Sequence, residues 1–126
     1  MNVVDSSGWL AYFAGEASAE HFTAALENPQ ELVVPVITIY EVFKVVLREA
    51  DESKGRQAVA VMQKGTVAEL TPLLAMEAAK LSLNHCLPMA DAMILATARA
   101  FAATLLTQDS HFNGLPGVRY FPKTVL

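Results

Sequence analysis

Cysteine is almost missing from this chain. Cys86 is alone, so no disulfide can form within the molecule, and a reducing compartment suits it. Long apolar runs are missing too, and none approaches the roughly 20 residues needed to cross a bilayer. The stretch from Leu32 to Tyr40 is too short, and Arg99 interrupts the apolar segment after Asp91. No basic segment followed by an apolar one opens the chain, which argues against a secretory signal and for a cytoplasmic location. Cations are scarce: 9 Lys and Arg stand against 13 Asp and Glu, a formal net charge of −4 at pH 7. That excludes the broad basic footprint of a typical nucleic-acid binder. The 3 histidines, His21, His85 and His111, are scattered, and with Cys86 they show no zinc-ligand spacing.

Apolar residues are plentiful, at 53% of 126 residues. This is enough to bury one core in a single domain spanning 1–126, with apolar surface left for a partner or a second copy. Strand-like and helix-like spacing alternate along the chain. Strands are expected at 2–5, 32–34, 67–70, 104–107 and 118–121. Helices are expected at 7–14, 18–27, 38–51, 53–65, 72–85 and 89–102, with Ser18 as an N-cap and Gly55 weakening the start of the fourth. The alternation predicts an α/β layer architecture with a mainly parallel sheet. In such sheets ligands bind beyond the carboxyl ends of the strands.

Four acids occupy the ends of these elements: Asp5, Glu41, Asp91 and Asp109. Singly, three have ordinary explanations. Thr38 and Glu41 match a capping box, Asp91 suits a helix start, and Asp109 suits a turn. Asp5, directly after an apolar strand, offers folding little by that reasoning. Together they are more specific. Two unit charges about 5 Å apart repel by roughly 3 kcal/mol at an effective dielectric near 20, so four would be a liability without a cation between them. Mg²⁺ or Mn²⁺ takes oxygen ligands of this kind alongside substrate phosphate. Setting the four acids aside leaves the remaining charge balanced, so the acidity of the chain is largely that of the site. The pattern points to a metal-dependent nuclease.

Four segments carry a family resemblance. They are Val3-Val4-Asp5-Ser6-Ser7, Thr38-Ile39-Tyr40-Glu41, Leu87-Pro88-Met89-Ala90-Asp91-Ala92 and Leu105-Leu106-Thr107-Gln108-Asp109-Ser110-His111-Phe112. In order and spacing they resemble PIN domains, and more narrowly the VapC toxins of prokaryotic type II toxin–antitoxin systems. The resemblance implies a three-layer α/β/α fold around a mainly parallel sheet of about five strands. It also implies an Mg²⁺- or Mn²⁺-dependent endoribonuclease, homodimeric and neutralised by a VapB-type antitoxin. The family's acidic positions fall on Asp5, Glu41, Asp91 and Asp109, and its supporting hydroxyls on Ser6 and Thr107. Asp5, Asp91 and Asp109 would hold one or two ions; Glu41 would hold a second ion or orient water. Cleavage would leave a 5′-phosphate and a 3′-hydroxyl, because the scattered histidines disfavour attack through the RNA 2′-hydroxyl.

Other residues have simpler readings. Lys44 and Arg48 follow Glu41 on one helix face and suit local ion pairs, with RNA phosphate contact as the functional alternative. Trp9, Tyr12 and Phe13 suit core packing, with a partner surface as the alternative. His111 suits hydrogen bonding or packing beside Asp109. Three other functions compete: an RNA-processing PIN nuclease without antitoxin, a non-catalytic PIN-like interaction module, and a phosphoacceptor domain. The last would need paired acids after the first strand and a Lys near Asp109, and neither is present.

Overall fold

The computed structural model describes residues 1–123, so the last three positions of the expected 1–126 domain lie outside the described residues. The chain runs β1 (Asn2–Val4), α1 (Ser6–Ala14), α2 (Glu20–Leu26), β2 (Val33–Pro35), α3 (Val36–Glu49), α4 (Glu52–Met62) and β3 (Thr66–Ala68). It continues through α5 (Pro72–His85), α6 (Met89–Ala100), β4 (Thr104–Thr107) and β5 (Val118–Tyr120). β4 lies between β1 and β5, and β2 pairs with β3. All three pairings are parallel, with Val3 opposite Leu105, Val34 opposite Val67 and Leu106 opposite Arg119. A parallel bridge between Asn2 and Leu32 joins the two groups, giving the order β3-β2-β1-β4-β5. Parallel neighbours need crossover connections, and pairs of helices supply them between the first four strands.

Successive strand side chains point to opposite faces of a sheet, and here that alternation builds two cores. Val3, Val33 and Leu105 pack with Ile94, Leu95 and Phe112 beneath α5 and α6. Their neighbours Val4, Val34 and Leu106 pack with Trp9, Phe22, Val42 and Met62 beneath the helices of the other layer. β1, β2 and β4 therefore carry consecutive buried apolar residues, as both of their faces are covered, while the edge strands β3 and β5 are more exposed. Trp9 takes the core position expected of it, at 1% exposure.

Several boundaries differ from the sequence expectation, each for a local reason. α3 starts at Val36, straight after Pro35, so Thr38 lies within the helix and its hydroxyl donates to the Pro35 carbonyl at 2.6 Å. No capping box forms between Thr38 and Glu41. Ser18 does not cap a helix; it is buried in a short 3₁₀ turn, and α2 begins at Glu20 without a side-chain cap. α4 is capped by Asp51, which accepts from the Lys54 amide at 2.8 Å. Gly55 serves packing, since a Cβ there would meet the Phe43 ring at 2.9 Å. α6 ends at Ala100, and Ala102 at φ +51° turns the chain into β4.

Gly8 fixes how closely α1 approaches β1. A Cβ at this position would stand 2.5 Å from Val4 Cγ1 and 3.1 Å from the Phe22 ring. Both neighbours are fully buried, and the β-branched valine is stiff at χ1. Gly8→Ala would gain about 1 kcal/mol of helix propensity but lose about 1–3 kcal/mol to overpacking. The expected outcome is a lower urea midpoint with an unchanged m-value. A variant as stable as the parent would show that α1 does not press on β1 as described.

Candidate functional site

Parallel strands place their carboxyl ends on one edge, and the four acids gather there. Asp5 follows β1 and is the N-cap of α1. Its Oδ1 accepts from the Gly8 amide at 3.1 Å and from the Ser7 hydroxyl at 2.8 Å. Its Oδ2 accepts from the Thr107 hydroxyl at 2.8 Å, across 102 positions of sequence. Thr107 Oγ1 in turn accepts from the Asp109 amide at 2.9 Å. The acid with the least evident use in folding is thus a helix cap and a strand clasp as well.

Asp5 is only 3% exposed, and its carboxyl is pushed up from 3.8 to about 6. Burial is the main cause; the bonds from Ser7, Thr107 and Gly8 oppose it, and the charge on Asp109 adds to it. Glu41 projects from α3 and accepts from the Ser6 hydroxyl. Burial raises its pKa against that bond, with the charges on Asp91 and Asp109 adding to the rise and Lys44 opposing it. Asp91 lies in the first turn of α6, whose N-cap is Pro88. It too is raised by burial, and by Asp109, while His111 pulls it down. The upward direction is the one expected of crowded carboxylates, but the larger cause is desolvation. Asp109 acts electrostatically on each of the other three acids, which defines one site.

His111 belongs to this site, contrary to the absence of ligand spacing in the sequence. Asp109 caps the 3₁₀ turn Ser110–Phe112 by accepting from the His111 amide at 2.9 Å. The imidazole Nδ1 then lies 2.9 Å from Asp91 Oδ2 and 3.3 Å from Asp109 Oδ1. The Asp91 bond, followed by the Asp109 charge, raises the His111 pKa. Asp91, Asp109 and His111 each offer a ligand atom, all within 4.8 Å of one another. Asp5 stands behind them, its two oxygens already bonded to protein donors. The hydrogen-bonding place beside Asp109 expected of His111 is the one it takes; its approach to Asp91, 20 positions away, is tertiary. Ser7 and Gln108 were also passed over. Ser7 bonds Asp5, and Gln108 is buried with its Nε2 donating to the Ser7 carbonyl at 3.3 Å.

The donor set fits a divalent cation. It combines hard carboxylate oxygens of the half-buried Asp91 and Asp109 with the exposed imidazole of His111. Among the described residues no Lys or Arg forms an ion pair with Glu41, Asp91 or Asp109. Arg48 pairs with Glu49 at 3.3 Å, while Lys44 stands 5.6 Å over the Tyr40 ring. His21 stacks on Phe121, and Cys86 is exposed, so neither joins the cluster.

Fold and site together define a parallel α/β protein with a carboxylate cluster at the carboxyl edge of its sheet. A family model described as the PIN domain matches residues 3–118, and the chain belongs to that family. Solved structures share the fold. A toxin–antitoxin complex from Klebsiella pneumoniae superposes with a TM-score of 0.81 at 24% identity, covering 98% of this chain and 100% of that one. VapC20 of Mycobacterium tuberculosis, described as a toxin that cleaves the sarcin–ricin loop, gives 0.76 at 19% identity over 92% and 95%. DNA-bound VapBC from Salmonella typhimurium gives 0.76 at 15% identity over 97% and 98%. No curated protein sequence matches significantly.

Burial of Asp5 makes stability depend on pH. Below about 3.8 the carboxyl is protonated in both folded and unfolded chains and costs nothing. Between about 3.8 and 6 the folded state keeps a proton that the unfolded state releases, so stability falls as pH rises. Above about 6 the full cost remains, on the order of 3 kcal/mol for two pKa units. In metal-free protein, Asp5→Asn is therefore expected to raise stability at pH 7 by on the order of 1–3 kcal/mol. It should also reduce the slope of stability against pH between 4 and 6. Denaturant titrations at several pH values check this; an unchanged slope would mean that Asp5 is ionised in the fold at low cost.

Proposed function

We propose that residues 1–126 act as one PIN nuclease domain that hydrolyses RNA phosphodiester bonds with Mg²⁺ or Mn²⁺. In this reading it is the toxin of a type II toxin–antitoxin module, a homodimer of the prokaryotic cytoplasm neutralised by a VapB-type antitoxin. The observation that carries the catalytic part is the convergence of Asp91 and Asp109, with Asp5 and Glu41 beside them, at the open edge of a PIN-family sheet. The VapC and VapBC structures of the same fold support the toxin part. Among the described residues, no helix is long and apolar enough to cross a membrane.

Asp91 and Asp109 would hold the ion directly, and Asp5 would fix Asp109 through Thr107 and add negative charge from behind. A divalent ion held there supplies the charge that polarises the phosphoryl group and acidifies water. Glu41 keeps one oxygen on Ser6. Its other oxygen has no protein hydrogen bond among the described residues, and its raised pKa suits it to accept a proton from the attacking water. A cleft of about 360 Å³ beside Asp109, lined by Ser7, Tyr120 and Lys123, would take the adjoining stretch of RNA. Lys123 offers a phosphate contact there that the net charge of the chain does not advertise.

The antitoxin would use a separate surface. An apolar groove of about 720 Å³ lies between α1, α3 and α4, with Leu10, Phe13, Val45, Val46 and Val61 along it. It fits the apolar face of an amphipathic partner segment. Phe13 packs against the core, as expected of it, and also lines this groove. An antitoxin gene directly upstream, and growth arrest relieved by its product, separate this reading from an RNA-processing nuclease.

Purified protein incubated with total RNA and Mg²⁺ or Mn²⁺ should release fragments ending in 5′-phosphate and 3′-hydroxyl. Asp91→Asn should lower the rate by more than about a hundredfold, the scale on which even outer partners of a metal site act, with its circular dichroism unchanged. Undiminished cleavage in EDTA, or by Asp91→Asn, would overturn the metal-dependent nuclease.

A further inference from the structure

We propose that His111 is itself a ligand of the divalent ion, giving the centre a nitrogen donor that makes it favour Mn²⁺ over Mg²⁺. The proposal rests on reading the cluster as a metal centre and concerns what that centre selects. It begins from how the ring is held. His111 is 56% exposed, yet its turn is fixed on both sides. Its amide is bound by Asp109, and the next residue, Phe112, is fully buried in the core beneath α5 and α6. The backbone that carries the ring is thereby held beside the acids.

The distances suit ligation. An octahedral ion with bonds of about 2.1 Å holds adjacent ligand atoms about 3.0 Å apart. His111 Nδ1 stands 2.9 Å from Asp91 Oδ2 and 3.3 Å from Asp109 Oδ1. The ring nitrogen thus stands from each of the two oxygens at the spacing of a neighbouring ligand, and all three donors lie within 4.8 Å of one another. A single ring nitrogen placed against both acids differs from a histidine that merely buttresses one carboxylate. The partners come from two elements, α6 and the turn after β4.

The chemistry then sets the preference. Mg²⁺ is a hard ion that keeps its waters and takes carboxylates and phosphates. Imidazole nitrogen adds affinity for first-row transition ions and little for Mg²⁺. With Asp91 and Asp109 alone the centre would accept either ion. Adding His111 gives a two-carboxylate, one-imidazole face, and Mn²⁺ is the ion in the proposed pair that benefits.

Mn²⁺ bound to the intact protein reports the ligand directly by pulsed electron paramagnetic resonance, and calorimetry with Mn²⁺ and Mg²⁺ gives both affinities. The wild type is expected to show coupling from a directly bound ¹⁴N nucleus and to bind Mn²⁺ at least about tenfold more tightly than Mg²⁺. In His111→Ala the coupling should vanish and most of the Mn²⁺ advantage should go, a loss on the order of tenfold, with Mg²⁺ affinity little changed. His111→Gln keeps a polar side chain without the imidazole and should match the Ala variant, which separates ligation from local packing. Mn²⁺ binding with no nitrogen coupling, and equal affinity in all three proteins, would overturn the ligand role while leaving the carboxylate centre intact. A wild type that binds neither ion would overturn the metal centre itself, and this inference with it.

Discussion

The hydrogen bond from Thr107 to Asp5 joins the end of β4 to the end of β1, and the acidic edge of the sheet is built around it. Asp5 begins α1 by capping it, and Thr107 receives the Asp109 amide. One buried carboxylate therefore sets the start of a helix, the alignment of two central strands and the direction of the turn that carries Asp109 and His111. Glu41 is linked to the same corner through Ser6, the residue next to Asp5. The acids converge because a short polar chain of contacts sits where two apolar strands run out.

That arrangement works against folding. Desolvation raises the pKa of Asp5, Glu41 and Asp91, and mutual repulsion adds to it. No Lys or Arg among the described residues relieves Asp91 or Asp109 by an ion pair, and their only such partner is His111. A fold optimised for stability alone would pair or remove these charges. Carboxylates left uncompensated at a sheet edge are poised for a cation, and a bound ion would return stability through mass action.

Much of the fold was legible because strand and helix periods were clear. The apolar pairs Val3-Val4 and Leu105-Leu106 announced strands, and Pro72 announced the start of α5, where Thr71 caps the helix by accepting from the Leu74 amide. Errors fell at boundaries, where local signals competed. Thr38 with Glu41 looked like a capping box, yet Pro35 begins the helix earlier and Glu41 turns to Ser6. Gly55 looked like a weak helix start, yet its lack of a side chain makes room for Phe43. Asp5 was singled out as offering folding little, yet it caps α1 and accepts from Thr107 across the sheet.

By itself the sequence determined five strands, each within two residues of its place, that the sheet is mainly parallel, and that acids follow β1 and β4. These are consequences of local period and of the rule that parallel strands end on one edge. Tertiary structure alone decided that Asp5 would be clasped by Thr107 and that Asp91 would meet Asp109. It also brought His111 to within 2.9 Å of Asp91. Hydrogen bonds spanning 102 and 20 positions leave no periodic trace in a sequence, because the partners are set by how helices pack across a sheet and not by their neighbours in the chain.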